Sequence, residues 1–374
     1  MNHTRLRRIC AALCALCLVL ALGACSPLET VTGWFTSKKW ADDKPYKNVK
    51  LDKHVKLGEY KGIEAEFYTD EEYLAFYMDN IFMQYGATKG IADDPAKTAV
   101  AEGDLVFFDY EGSGPDIPEE AKEGMKGKAL LVVGSDQFIL EFKNAEGVVE
   151  KRGFEEQMVG QPRDKEFTVD VRFPDPYANN PDLSAKDAVF KCTVHKIGSA
   201  SEEITDEGVD CLTNGEFATV AEFEALLMED VPQQAADYNM NLASDAAFAN
   251  AEFLELPAKE QEYWDTRLAE SAEGQGMGPE DFAQASGYQS AAAYRDEQLK
   301  HELFFYAVAE KEGITVTEED LQALLAEIRA GGEYSDKDDE LYSQVGGKGI
   351  LLRHLMRNKV SEFIYANAKG VPGA

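Results

Sequence analysis

The chain has 374 residues, of which 44% are hydrophobic and 28% charged, and its formal net charge is −32 at pH 7. This length predicts two or three domains, and the composition is typical of a globular rather than a disordered protein. The strong negative charge would repel nucleic acid, so we expect no nucleic-acid partner.

The first 24 residues have the pattern of an export signal. Three arginines precede an apolar run, residues 9–22, which is too short to span a bilayer comfortably. The run ends in Leu22–Cys25 (LGAC), which resembles the lipobox of bacterial lipoproteins, where cleavage precedes the cysteine and its thiol receives a diacylglycerol. We expect residues 1–24 to be removed and Cys25 to be lipidated, with an ordinary export signal as the alternative.

Residues 25–55 show no sustained hydrophobic period and are predicted to be a tether. Residues 56–100 are predicted to form a lead-in strand and a helix. The helix is expected to begin after Thr69, which stands in capping-box spacing with Glu72 ahead of an apolar stripe, and to stop at Gly86. We interpret its aromatic face as a packing surface.

Sheet signals are concentrated in residues 101–198. The predicted strands are Asp104–Gly112, Glu166–Phe173 and Ala188–Ile197, and apolar and polar side chains alternate along them as in a sheet with one buried face. Between the first strand and the other two lies Gly153–Gly160 (GFEEQMVG).

These pieces resemble the FKBP-type peptidyl-prolyl isomerase domain, in the form found in trigger factor. The resemblance rests on the order of GDLVFFDYEGS, VVGSDQFI, GFEEQMVG, DKEFTVDVRFPDPY and AKDAVFKCTVHKI. It implies an α+β fold with an FKBP-like antiparallel sheet wrapped on a short helix. It also implies cis/trans isomerisation of X-Pro bonds.

Isomerisation of an X-Pro bond needs a pocket rather than a nucleophile. The barrier of about 18–20 kcal/mol comes from amide resonance, and a dry apolar pocket disfavours the charge-separated resonance form while a donor holds the twisted state. By the resemblance, Phe154 is the floor and Tyr177 a donor at the rim of a pocket formed by Tyr110, Phe138, Ile139, Phe154, Tyr177 and Phe190. Each of these residues is equally compatible with a place in the core.

Two stretches depart from the family pattern. Residues 114–120 (GPDIPEE) lack the phenylalanine that the family has there, which leaves Asp116 or Ile117 as a substitute. Residues 140–152 are an insertion, and they make Phe142 an alternative to Phe154 as the floor. These departures favour a second hypothesis, in which the domain binds polypeptides without catalysis.

Two cysteines lie outside the export signal and the expected lipidation site, namely Cys192 and Cys211. Export permits a disulfide between them. The inward position of Cys192 on its strand favours a buried free thiol instead.

Helical signals replace sheet signals after Gly198, and residues 209–370 are predicted to form an all-α domain. Thr219 and Thr317 open two of its helices with capping-box spacing. The segment resembles the C-terminal chaperone domain of trigger factor, whose helices enclose an apolar cradle for unfolded chains. The ribosome-binding head of that family would precede residue 56, where no room remains for it, so we do not expect a ribosomal role.

The sequence therefore predicts an extracytoplasmic folding factor, held at the membrane by a lipid anchor, that binds unfolded exported polypeptides and isomerises their prolines. One alternative is a holdase with an inactive isomerase domain, and another is a lipoprotein that captures one dedicated partner. The five histidines show no metal-ligand spacing and no phosphate-binding loop is present, so neither a metal nor a cofactor is expected.

Overall fold

The computed structural model describes residues 49–134, 139, 142–143, 148–332 and 334–371. They form a mixed α+β structure, as predicted. The chain divides into two compact units, which we call the sheet unit (residues 71–231) and the helical unit (residues 49–70 and 232–371). The expected export signal and Cys25 lie outside the described residues.

Helices make up most of the regular structure. In chain order they are α1 (Asp70–Gln84), α2 (Glu119–Lys122), α3 (Phe154–Met158), α4 (Asp206–Leu212), α5 (Val220–Leu227), α6 (Val231–Ala249), α7 (Ala258–Gly274), α8 (Pro279–Ala285), α9 (Ala291–Glu312), α10 (Glu318–Gly331), α11 (Asp338–Gln344) and α12 (Lys348–Asn367). No helix among the described residues is long and apolar enough to cross a bilayer.

The strands vary from two to fourteen residues in length. They are β1 (Val55–Lys56), β2 (Glu64–Glu66), β3 (Ile91–Asp93), β4 (Leu105–Ser113), β5 (Lys126–Val132), β6 (Phe142–Lys143), β7 (Val149–Lys151), β8 (Glu166–Arg172), β9 (Asp187–Ala200), β10 (Glu252–Phe253) and β11 (Lys369–Val371).

The sheet unit is built around β9. This strand pairs antiparallel with β4 along one edge, while β8 and β3 pair with successive parts of its other edge. Strand β5 continues the sheet on the far side of β4. The sheet therefore has five antiparallel strands, three of which the alternation of side chains predicted.

One face of this sheet carries the apolar core of the unit, and helix α3 packs against it through Phe154 and Met158. The pairing of β4 with β9 shifts register between Phe107 and Phe108. Because of this bulge, Val194 and Ile197 both point into the core although they are three residues apart, and both are fully buried.

The two cysteines lie on opposite faces of the sheet and are both free thiols. Cys192 belongs to the core around Phe154, whereas Cys211 on α4 packs on Leu105 and Phe107, which alternate with the inward residues of β4. Burial raises the pKa of each thiol to about 12. The prediction of a buried free thiol at Cys192 is confirmed, and the disulfide alternative is wrong.

Helix α1 ends as its sequence predicted. Gly86 has a φ of +58°, a left-handed conformation that glycine adopts without strain, and the amide of Ala87 donates to the carbonyl of Phe82 at 2.9 Å. The aromatic face of α1, including Tyr77 and Phe82, is buried, in agreement with its interpretation as a packing surface.

The helical unit incorporates the segment that precedes α1. Leu51 and Val55 are buried against Leu299 and Leu303 of α9, so ordered structure begins by residue 49 rather than at residue 56. Strand β1 pairs with β10, and β2 pairs in parallel with β11 at the other end of the chain. Most of the predicted tether lies outside the described residues.

The boundary between the units also differs from the expected one. Helices α4 and α5 follow residue 198, but both belong to the sheet unit, and the helical unit resumes at residue 232. Cys211 on α4 packs beside Leu130 of β5, and this contact with the sheet explains the difference. The helical unit therefore resumes later than residue 209, and it is not all-α, because β10 and β11 pair with β1 and β2 of the segment that precedes α1.

Helix α10 begins with the capping box predicted at Thr317. The hydroxyl of Thr317 accepts from the amide of Asp320 at 3.2 Å, and the Asp320 carboxylate accepts from the amide of Thr317 at 2.7 Å. Asp320 also accepts from the ammonium group of Lys359 on α12. The hydrogen bond from Lys359, together with those from Thr317, lowers the pKa of Asp320 to about 2.

This arrangement predicts how Asp320→Asn changes stability with pH. A lowered folded-state pKa stabilises the protein above the usual carboxyl pKa of about 4, and that contribution is lost as the pH falls towards about 2. The variant should be less stable than the unaltered chain at pH 7, and the difference should vanish near pH 2. Urea unfolding followed by circular dichroism measures it. Glu319→Gln, which removes a charge from the same turn, should show a smaller difference.

Candidate functional site

Phe190 lies at a junction of aromatic side chains on the inner face of the sheet. Its ring centroid is 5.5 Å from that of Phe154, 6.2 Å from that of Tyr110 and 6.2 Å from that of Phe173. Tyr177 packs in turn on Phe173, with 5.0 Å between centroids. We call these five residues the aromatic cluster.

A glycine on the neighbouring strand makes room for this junction. Gly112 of β4 lies directly opposite Phe190 in the sheet. A Cβ atom at Gly112 would lie 2.5 Å from Cε1 of Phe190 and 2.6 Å from Cε of Met125. The absence of a side chain at position 112 therefore allows Phe190 and Met125 to occupy this end of the core.

Phe154 enters the cluster from the first residue of α3. Its amide donates to the carbonyl of Ile139 at 2.7 Å, which brings two of the predicted pocket residues together, and both are buried in the same core. Phe142 lies elsewhere, on β6, where the guanidinium of Arg172 is 4.7 Å from its ring centroid. The structure thus places Phe154, and not Phe142, beneath Phe190.

Tyr177 is held by the connection between β8 and β9. Its amide donates to the hydroxyl of Ser184 at 2.9 Å. The two ends of this connection are joined by a hydrogen bond from the amide of Phe173 to the carbonyl of Lys186. Tyr177 and Tyr110 are half-buried, in contrast to Phe154, which has no exposed surface. The two tyrosines are therefore the most accessible rings of the cluster.

The site is apolar, and the phenol groups of its two half-buried tyrosines are the polar groups at its rim. Burial raises the pKa of the Tyr110 hydroxyl. A protonated phenol donates a hydrogen bond, so the rim of the cluster offers donors to a carbonyl group. No group of three His, Cys, Asp or Glu side chains in the described part of the chain is arranged to hold a metal ion.

Ile117 is one of the two residues that the sequence offered in place of the family phenylalanine. It is 7% exposed and belongs to the core around Phe190, whereas Asp116 is exposed. Of the two substitutes that the sequence offered, only Ile117 contacts the core. Met125 was not anticipated, because it precedes β5 in a segment with no period that distinguishes it.

Of the six predicted pocket residues, the structure brings five together in one core. Tyr110, Ile139, Phe154, Tyr177 and Phe190 contact one another or share neighbours in it. Phe138 lies outside the described residues. The arrangement is an apolar floor with two phenol groups beside it, which suits a small apolar ring attached to a carbonyl group.

Comparison with known proteins identifies close relatives. No family model matches the chain. It is 30% identical over 336 residues to a trigger factor of Halothermothrix orenii, covering 84% of this chain and 73% of that protein. It is 31% identical over 336 residues to a trigger factor of Lysinibacillus sphaericus, covering 84% and 72%. A solved structure from work on promiscuous substrate recognition by the trigger factor chaperone aligns with 18% identity and a TM-score of 0.33, covering 83% and 72%.

The contacts of Gly112 predict the effect of Gly112→Ala. The added methyl group would overlap the Phe190 ring and the end of Met125, so the cluster must repack at a cost of about 1–3 kcal/mol in the free energy of unfolding. Chemical denaturation measures this cost. Gly124→Ala is the matched control, because a Cβ atom there meets no other atom within 4 Å. Equal stability of the two variants would contradict the described packing.

Proposed function

Since this chain belongs to the trigger factor family, a family of protein-folding factors, we propose that it binds unfolded polypeptides and isomerises their X-Pro bonds. The observation that carries the chaperone role is the similarity to trigger factors over 84% of the chain, a share that includes residues of both units.

The isomerase activity is proposed for the sheet unit, which we interpret as an FKBP-like domain. Its five-stranded antiparallel sheet packs on the short helix α3, as that fold requires. The pocket positions that the resemblance assigns to Tyr110, Tyr177 and Phe190 fall on one aromatic cluster, which supports the proposal.

The chemistry follows from desolvation and hydrogen bonding. A proline ring placed against Phe190 would lose its water, which destabilises the charge-separated form of the imide and so weakens the partial double bond. The phenol of Tyr110 or Tyr177 would donate to the substrate carbonyl while the bond is twisted. This requires no nucleophile and no change of protonation state.

Burial of the floor favours a second candidate function. Phe154 has no exposed surface and Phe190 is only 3% exposed, so little of the floor is open to a substrate in this conformation. A holdase whose FKBP-like domain binds or spaces without catalysis is compatible with the same contacts. The two candidates differ in one measurable property, the rate of proline isomerisation.

The proposed location is the extracytoplasmic face of the membrane, with a lipid anchor on Cys25. The support is in the sequence, where an arginine-containing start and a short apolar run end in LGAC. Exported polypeptides that have not yet folded would be the clients at that location.

The isomerase proposal predicts that Tyr177→Phe lowers kcat/KM by about 10-fold, because one hydrogen-bond donor at the rim is lost. A protease-free assay with a proline peptide measures it on residues 26–374. Tyr85→Phe is the control, since this tyrosine is 52% exposed in the same unit. The holdase would be established instead by the following result: the unaltered chain suppresses aggregation of an unfolded client, but proline isomerisation stays at the uncatalysed rate.

The anchor proposal predicts that Cys25→Ala releases the protein from the membrane fraction and abolishes incorporation of a labelled fatty acid. Thioether attachment at position 25 requires the thiol, so no other cysteine should replace it. Cys17→Ala, within the predicted export signal, should leave labelling unchanged. Fatty-acid labelling that persists in Cys25→Ala would refute the assignment.

A further inference from the structure

Tyr177 lies in an exposed part of the connection between β8 and β9. Residues 174–176 before it and 178–179 after it are exposed, whereas Tyr177 itself is half-buried. Its neighbours along the chain therefore contribute little packing that could fix its main chain. Because the phenol oxygen is at the far end of the side chain, a small change in main-chain direction at position 177 displaces it. The position of the proposed rim donor thus depends on what holds Tyr177.

Two contacts attach Tyr177 to the ends of this connection. Its ring packs on Phe173, which directly follows β8, with 5.0 Å between centroids. Its amide donates to the hydroxyl of Ser184 at 2.9 Å, seven residues further along the chain. The first contact fixes the ring of Tyr177, and the second fixes its main chain.

Ser184 is itself held on both sides. Its amide donates to the carbonyl of Pro181 at 3.1 Å, and the preceding residue, Leu183, is 5% exposed and belongs to the core that contains the aromatic cluster. The following residue, Ala185, has a φ of +58°, an uncommon conformation for a residue with a side chain, and its amide donates to the carbonyl of Pro174 at 3.1 Å. The Ser184 hydroxyl is therefore a fixed acceptor for the amide of Tyr177.

We propose that Ser184 is a positioning residue for the proline site, whose hydroxyl holds the main chain of Tyr177 so that the phenol reaches the carbonyl group of a bound X-Pro bond. This role rests on the proposed isomerase function and on Tyr177 as a donor. Ser184 does not touch the substrate. It acts through Tyr177, because a donor that is already in place needs no reorganisation when the imide twists.

Another serine of the sheet unit is a matched control. Ser201 directly follows β9, it is half-buried like Ser184, and its hydroxyl accepts from the amide of Glu203 at 3.1 Å. Replacing either serine with alanine removes a hydrogen bond from a backbone amide to a hydroxyl. Only the change at position 184 releases Tyr177.

The test measures kcat/KM for proline isomerisation in the mature chain, with Ser184→Ala made alone and together with Tyr177→Phe. We expect Ser184→Ala alone to lower kcat/KM about 5-fold, because the donor is loosened but still present. In the Tyr177→Phe background the same change should alter kcat/KM by less than about 2-fold, since no donor is left to misplace. Ser184→Thr keeps the hydroxyl and should retain most of the activity. Ser201→Ala should match the unaltered chain.

Amide hydrogen exchange measures the contact independently of catalysis. The amide of Tyr177 should exchange about 5-fold faster in Ser184→Ala than in Ser201→Ala, because only the first variant lacks its acceptor. If the unaltered chain does not catalyse isomerisation, the proposed function is contradicted, and the exchange of this amide still decides whether Ser184 holds Tyr177.

Two results would overturn the role of Ser184 alone. One is an active enzyme in which Ser184→Ala changes nothing, or lowers kcat/KM equally with and without the Tyr177 hydroxyl. The other is equal exchange of the Tyr177 amide in Ser184→Ala and Ser201→Ala. If Ser184→Ala does not fold, Ser184→Cys replaces it in the same comparison, since sulfur is a weak acceptor of similar size. An equal loss in both backgrounds would again contradict the proposal.

Discussion

The pairing of β9 with three other strands is the constraint on which the sheet unit depends. Because β4 occupies one edge of β9 while β8 and β3 occupy the other, the inward side chains of these strands meet on a single face. Phe190 of β9 lies where the strands and α3 converge, and its ring contacts Tyr110, Phe154 and Phe173. The candidate site is therefore an extension of the core, made of the residues that hold the sheet unit together.

Because the candidate site is part of the core, its floor is buried and only its rim is partly exposed to solvent. Phe154 and Phe190 are fixed by packing on all sides, whereas the two tyrosines are half-buried. Gly112 leaves room for Phe190 by the absence of a side chain, and Ile117 is buried in the same core.

Local sequence patterns predicted the elements whose causes are local. The period of two along β9 placed Phe190 and Cys192 inside, and Gly86 marked the end of α1. Features that depend on distant partners were not predictable. Val55 pairs with Phe253, almost two hundred residues away, and so residues 49–55 looked like a tether. The register shift at Phe107/Phe108 and the attachment of α4 to the sheet likewise arise only from tertiary pairing.

The proposed binding of a proline ring at the aromatic cluster is measured most directly by an NMR titration that follows the ring signals of Tyr110 and Tyr177. The unlabelled ligands would be an apolar peptide that contains one X-Pro bond and the same peptide with alanine in place of proline. We expect both tyrosine signals to shift with the proline peptide and much less with the alanine peptide. Equal shifts with both peptides, or shifts confined to tyrosines of the helical unit such as Tyr263, would contradict it.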